Sequence, residues 1–324
     1  MWDTVPQRRK SMLRFKKISK RPKMLFRLTG LTVEQVTNLS VKLNPLWRQT
    51  EKKRLSKRER KHALGQGRKY KLSTIEDKLL LILVFYRFYL TDELMGYIFG
   101  LHPSNACRMR IKMEPLVEKA ADPSLSQAIK QRVSQEAKKV STWEDLLIVC
   151  PEFAEAITDA TEPQRQRPAK RIQKKYYSGK KKRHTIKTQI TINTKGKILM
   201  ASKSYPGRVH DYNIFKQENT VEKLSRKSSH YVDCGYDGAP NDYPECTIIM
   251  PVKRRKNHSA LTRAGKRFKR KHSRIRILVE HVLSRMKKYQ ILAQVYRHKI
   301  MDYNQLVKSA QSASSVVSNS FVEL

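Results

Sequence analysis

Carboxylates are missing from long stretches of this 324-residue chain, and their absence constrains its folding more than any other feature. No Asp or Glu occurs between Pro163 and His210, and Glu280 is the only one between Glu245 and Asp302. Cations in those stretches have no anion nearby in sequence. The chain must therefore bury the apolar residues among them while Lys and Arg heads stay in water. With 69 Lys and Arg against 28 Asp and Glu, the formal charge is +41. A soluble small domain needs a magnitude of only about 2–8, so the excess predicts a polyanionic partner, most simply nucleic acid. Apolar residues at 39 % still suffice for a core at this length, which suits about two domains.

Several classes are excluded early. The longest apolar run, Leu79–Leu90, is interrupted by Arg87. It falls short of the roughly 20 residues of a membrane span and reads as a buried helix. The basic N-terminus (Arg8, Arg9, Lys10, Arg14, Lys16, Lys17) leads into no apolar segment with a small-residue cleavage site, so secretion is not indicated. The 4 cysteines form no CxxC, and with 9 scattered histidines they give neither a zinc pattern nor a disulfide framework. A reducing, cytoplasmic, nucleoid-associated setting is expected.

The pattern divides the chain into a basic region (1–72), a helical segment (73–121), a linker with a short helix (122–150) and a mixed segment (151–324). In the first, a short helix is expected over Thr32–Leu43. The Lys/Arg run Glu51–Lys71 reads as a solvated linker or as an arm along phosphates. Ser73-Thr-Ile-Glu76 has the form of a capping box, opening a helix to about Tyr89. Thr91 is placed to cap a second helix ending near Phe99, with Gly100 just past it. Pro103 or Ser104 opens a third, Asn105–Glu114, carrying Arg108, Arg110 and Lys112. Two short helices about a Gly-containing turn form a helix-turn-helix pattern. A plain three-helix bundle fits the same signals; the charge of the chain favours DNA binding. Asp122–Gln135 reads as inter-domain, and Ser141-Thr-Trp-Glu144 as another capping box.

Beyond Pro151 the period changes to two. In His184–Asn193, Ile186, Thr188, Ile190 and Ile192 alternate with Thr185, Lys187, Gln189 and Thr191, the mark of a strand with one buried face. Asn193-Thr-Lys-Gly196 makes a hairpin turn, Lys197–Ser204 a return strand, and Asp211–Leu224 a helix. His230–Asp233 and Thr247–Val252 are short strands. Arg274–Tyr289 is a helix with Ile275, Leu278, Val279, Val282 and Met286 at helical spacing.

Against this basic background three acids stand out. Asp159 ends the strand-like Ala156-Ile-Thr-Asp159, Asp233 follows Tyr231-Val232, and Glu280 lies on the last helix. Phosphate binding needs no carboxylate, so acids retained in such a field are candidates to hold a divalent cation. Carboxylates without a His or Cys cluster favour Mg²⁺ or Mn²⁺. Two such ions about 4 Å apart activate a nucleophile and stabilise a leaving oxygen in phosphodiester chemistry. Plainer roles fit each residue equally well: Asp159 as a turn residue, Asp233 as nucleus of the Cys234-Gly235 turn, Glu280 as a partner of Arg276 one turn back. Arg276, Glu280 and Lys287 share a narrow arc of the helix, which places the acid between two cations.

These segments in this order resemble the DDE transposases of bacterial insertion sequences, in the branch related to the Harbinger-type endonucleases. The resemblance runs from about Ser73 to Tyr303. It rests on Asp159-Ala-Thr-Glu162, on Tyr177-Ser-Gly-Lys-Lys-Lys-Arg-His-Thr-Ile-Lys187, on Tyr205-Pro-Gly-Arg-Val-His-Asp211, on Asp233-Cys-Gly-Tyr-Asp-Gly238, on Pro251-Val-Lys253 and on Ser273–Lys287. It implies an α/β, RNase H-like catalytic domain preceded by an α-helical helix-turn-helix domain. Asp159, Asp233 and Glu280 are then the catalytic, metal-holding residues for two Mg²⁺ ions, with Mn²⁺ as a substitute. Arg276, Lys287, Lys180, Lys181, Lys182, Arg108 and Arg110 become candidate DNA contacts, and His210 and Asp211 play a supporting part. The implied partners are duplex DNA, as terminal inverted repeats and as target, and further copies of the chain in a dimer or larger assembly; no membrane is involved. The family commonly has Gly after the first Asp. Here it is Ala160, which would impair the site if that strand end required positive φ. A transposase descendant that binds DNA without cutting it is the alternative reading.

Overall fold

The computed structural model describes residues 12–56, 69–121, 145, 147–148, 151–224, 227–251, 262–298, 303 and 307. The expected linker Asp122–Gln135, the expected capping box Ser141–Glu144, Cys150, Lys253 and most of the 51–71 basic run lie outside them. The chain divides into two compact units, Met1–Ala121 and Asp122–Leu324.

The first unit is helical: α1 (Phe15–Ile18), α2 (Pro22–Thr29), α3 (Val33–Leu55), α4 (Ile75–Phe88), α5 (Asp92–Phe99) and α6 (Pro103–Ala121). Its centre is α4, whose residues Asp77 to Tyr86 are all buried, with α2, α3 and α6 packed around it. Two polar residues enter this core with their partners. Asp77 accepts the Phe15 N–H at 2.7 Å, and Lys78 donates to the Ser73 and Thr74 carbonyls at 3.1 and 3.0 Å while lying over the Trp47 ring. The cap of α4 is Thr74, which accepts the Asp77 N–H at 3.1 Å, one residue later than the Ser73–Glu76 pattern predicts. Thr91 caps α5 as expected, and α5 ends on Gly100 at φ 66°. The turn into α6 is tight enough to need a second glycine, because a Cβ on Gly96 would sit 2.7 Å from the Leu101 carbonyl oxygen.

Two helices outrun their predicted ends. α3 continues past Leu43 through Pro45, and α6 continues past Glu114 through Pro115. A proline within a helix removes one bond to the carbonyl four residues back. Those carbonyls belong to Val41 and Ile111, both at exposed positions, where losing the donor costs less than it would in the core.

The second unit is built on a mixed sheet in the order β5-β4-β1-β7-β8: β1 (Glu155–Thr161), β4 (Ile186–Ile192), β5 (Ile198–Ala201), β7 (Ser229–Tyr231) and β8 (Thr247–Ile249). β1 pairs antiparallel with β4, and β4 with β5, while β1, β7 and β8 run parallel. Three antiparallel strands followed by two parallel ones in this order is the RNase H-like arrangement. A small hairpin, β2 (Tyr177–Ser178) with β3 (Arg183–His184), and β6 (Tyr205–Pro206), paired to β4, complete the strands. The helices are α7 (Gln173–Tyr176), α8 (Asp211–Gln217), α9 (Thr220–Leu224), α10 (Ala239–Asp242), α11 (Arg263–Lys287) and α12 (Gln290–Ala293).

Three expectations are corrected here. β4 is buried on both faces, Gln189 and Thr191 included, because α11 and α8 both pack on it; Thr191 meets Thr158 across the strands at 2.9 Å. The helix predicted over Asp211–Leu224 is two, broken where Asn219 takes φ 49° and Glu218 turns inward to accept from the Lys203 N–H (3.0 Å) and the Tyr205 hydroxyl (2.8 Å). α11 starts at Arg263 rather than Arg274, capped by Thr262, which accepts the Gly265 N–H at 3.2 Å.

Candidate active site

Register alone brings two of the singled-out acids together. β1 and β7 are parallel with Ile157 opposite Tyr231. Two residues on come Asp159, which is still inside β1 and not at its end as the sequence suggests, and Asp233, just past β7; neighbouring strands lie about 4.8 Å apart in a sheet. Each carboxylate is tied to the next N–H: Asp159 Oδ1 accepts from Ala160 at 2.9 Å and Asp233 Oδ1 from Cys234 at 2.8 Å. The turn-forming role of Asp233 and its place in the acid pair are thus compatible.

The helix across the site contributes a cation. α11 packs on β1, β4 and β7 through buried His272, Val279, Val282, Leu283 and Met286. From its edge Arg276 reaches both acids, with Nη2 3.3 Å from Asp159 and Nη1 3.2 Å from Asp233. Asp211, first residue of α8, lies 3.0 Å from Lys187 Nζ. It is close enough to be felt at Asp159, whose carboxyl is held above the ordinary range. Burial is the main cause, opposed by Arg276 and the Ala160 N–H and reinforced by the negative charges of Asp233 and Asp211. Beneath the acids, buried Tyr236 accepts from Gln189 Nε2 at 2.6 Å; burial and the charge of Asp211 push its phenol well above the usual value.

Glu280 stands apart from this pair. It is exposed on α11 one turn beyond Arg276 and makes no ion pair among the described residues. Nor do three or more His, Cys, Asp or Glu side chains form a metal-holding group among the described residues. Helix geometry nonetheless keeps its Cβ about 6 Å from that of Arg276. Lys287 is exposed further along the same helix. The Asp159 and Asp233 oxygens, already drawn toward one cationic group, are hard donors that fit a divalent cation.

Ala160 needs no special backbone. It is not among the residues with positive φ, it pairs with Gln189 in the ladder, and its N–H holds Asp159. The conformational objection to Ala160 therefore falls away.

A cavity of about 820 Å³ opens beside the acids, walled by Lys174, Lys180, Lys187 and Arg208 and reaching His210, Asp211 and Gly235. Lys180, Lys181 and Lys182 are exposed at the tip of the β2–β3 hairpin. In the helical unit, Ser104, Asn105, Arg108 and Ile111 share the exposed face of α6. There a groove of about 700 Å³ is lined by Arg54, Lys69, Lys71, Asn105, Arg108 and Lys112. Arg110 is a correction. It is buried, paired with Glu114 at 2.9 Å and Asp92 at 3.7 Å, and stacked on Phe85, so it holds α5, α6 and α4 together and does not face DNA. Its neighbours α5 and α4 each supply a partner, a role that its place within a basic triplet hid. Sequence reading also missed Gln189 and Tyr236; the signal was a long amide in an otherwise β-branched strand.

An RNase H-like sheet with two carboxylates from neighbouring parallel strands sharing one arginine, in a chain with a helix-turn-helix, defines a DNA-processing nuclease. Comparison with known proteins agrees. Residues 158–311 match the family described as DDE superfamily endonuclease, and residues 70–123 match the helix-turn-helix of DDE superfamily endonuclease. The chain is similar to the probable transposase for insertion sequence element IS702 of Microchaete diplosiphon, 32 % identical over 243 residues that cover 75 % of this chain and 80 % of that one. No solved structure matches it. The chain belongs to the DDE transposases of insertion sequences, a superfamily of endonucleases that use divalent metals. No helix among the described residues is long and apolar enough to cross a membrane.

Proposed function

We propose that this chain binds the terminal inverted repeats of its element, cuts at the element ends by hydrolysis and joins the freed 3′-OH to target DNA. The observation that carries this reading is the meeting of Asp159 of β1 and Asp233, just past the parallel β7, at the guanidinium of Arg276, on the helix that also carries Glu280. In it, Asp159, Asp233 and Glu280 hold two divalent ions, Mg²⁺ or Mn²⁺. When bound, these ions supply charge for the attacking and leaving oxygens at phosphorus. The remaining work falls to the chain. Arg108 and its neighbours on α6 meet the repeat, the Lys180–Lys182 tip and the basic cavity hold the strands near the site by their phosphates, and Arg276 and Lys287 position the scissile linkage. His210 and Asp211 support the cavity wall, and Asp211 keeps Lys187 in place. Bringing two ends together calls for a dimer or larger assembly. Ala160 offers no support for a protein that binds without cutting, since its backbone is unstrained.

The test is cleavage and joining of DNA carrying the flanking inverted repeats, with Mg²⁺ or Mn²⁺, by the unmodified chain and by Asp233→Asn. The unmodified chain is expected to give cut and joined products. Asp233→Asn should bind the same DNA and lose product by on the order of 10⁴-fold. Equal products from both would overturn the metal assignment; binding without products from the unmodified chain would favour the non-cutting alternative.

A further inference from the structure

Arg276 occupies an unusual position for a DNA contact. Its guanidinium faces inward, within 3.3 Å of Asp159 and 3.2 Å of Asp233, where a polyanion would have to displace the carboxylates to meet it. Among the described residues Arg276 is the cation that forms ion pairs with these two acids; Lys187 is engaged by Asp211 and by the Val209 carbonyl, at 3.0 and 2.9 Å. The fit is also incomplete. Arg276 Nε is buried and finds no hydrogen-bond acceptor among the described residues, so the two acids do not saturate the guanidinium. The side chain is 17 % exposed and so is not sealed from solvent.

We infer that Arg276 is an internal counter-cation, occupying the gap between Asp159 and Asp233 in the resting protein and competing with a divalent ion for the same oxygens. This rests on the reading of those acids as metal ligands, and gives Arg276 two stations. In the first, it neutralises the like charges of the acid pair and keeps the two strands together. In the second, its guanidinium swings outward and is free to meet a phosphate of bound DNA. Metal entry and phosphate capture are thereby coupled through one side chain, which favours loading of the site once DNA has arrived. Asp211 and Lys187 on one side and His272 on the other border the same space; none of them needs to change charge for the exchange.

The coupling predicts an effect that a purely structural or purely DNA-binding arginine would not have. Mn²⁺ binding to the full-length protein is measured in the absence of DNA, by the electron paramagnetic resonance signal of the free ion at constant pH and ionic strength, for the unmodified chain, Arg276→Gln, Arg276→Lys and Asp233→Asn. Arg276→Gln is expected to bind Mn²⁺ at least about tenfold more tightly than the unmodified chain, since it removes a unit charge within a few ångströms of the ion. Arg276→Lys, a point charge that cannot span both acids, should fall between them, and it carries the test if Arg276→Gln does not fold. Asp233→Asn should lose the site. Equal or weaker binding by both Arg276 variants, with loss in Asp233→Asn, would overturn this inference alone. Unchanged binding in Asp233→Asn would overturn the metal assignment, and this inference with it.

Discussion

Glu51 of the helical unit and Asp159 of the sheet unit meet opposite surroundings, while Glu218 of the sheet unit, held by the Lys203 N–H, Tyr205 and Lys223, sits with Glu51. In the helical unit each buried acid has partners of its own. Glu51 is held by Arg54, Lys112 and Tyr70 at 2.7–2.9 Å, Glu114 by Arg110 and Asp77 by the Phe15 N–H. Burial pushes the Glu51 carboxyl up, but those hydrogen bonds outweigh it and bring it down to about 2. In the sheet unit, Asp159 is pushed the other way, because burial and two like-charged neighbours outweigh one shared guanidinium. Both are carboxylates of one strongly basic chain. Glu51 comes with enough donors to favour its ionised form. Asp159 does not, which suits an oxygen that is to receive positive charge from outside.

The arginines of α6 sharpen the contrast most. Arg110→Ala leaves Glu114 buried beside an empty place, and should lower the stability of the protein by about 3–5 kcal/mol, read as an early loss of helical signal in thermal unfolding. Arg108→Ala should leave melting unchanged and weaken binding to repeat DNA by about 1–3 kcal/mol, read by fluorescence anisotropy. A result in which both variants melt alike would break the distinction between fold-serving and DNA-serving cations on this helix.

A smaller effect compares the acids directly through pH. Glu51 has a lowered folded-state value, so its stabilisation is present above its ordinary 4.5 and is lost as pH falls toward about 2. Glu51→Gln should therefore cost on the order of 1–2 kcal/mol at pH 7, after discounting for solvent screening, and almost nothing near pH 2. Asp159 has a raised value, so the folded state holds its proton more tightly than the unfolded chain, and stability declines as pH rises above the ordinary 3.8. Asp159→Asn should raise the melting temperature at neutral pH, with no gain below that range. A fall in melting temperature at neutral pH, parallel to that of Glu51→Gln, would place Asp159 with the fold-serving acids.

Much of this was legible in the sequence because local rules act over a few residues. The hairpin at Asn193–Gly196 is read from one side chain and one glycine, and Gly196 does take φ 75° while Asn193 Oδ1 accepts the Lys195 and Lys197 N–H groups. The Thr91 cap and the Gly100 stop are of the same kind. Tertiary context accounts for what escaped. Alternation in β4 predicts one wet face, yet a second helical layer buries Gln189. Arg110 looks like a surface cation until α5 supplies Asp92 and α4 supplies Phe85. The meeting of Asp159 with Asp233 is expected from their places at strand-like segments and from the family resemblance, whereas the parallel register that brings it about is encoded by no short segment. The inward turn of Arg276 follows only from where α11 crosses the sheet.

The most direct test of the central claim is a crystal of the full-length protein soaked in Mn²⁺, with the metal located by anomalous scattering. A peak between Asp159 and Asp233, with the Arg276 guanidinium drawn away from them, is the predicted result. Manganese bound elsewhere, with Arg276 still bridging the two acids at saturating ion, would contradict it.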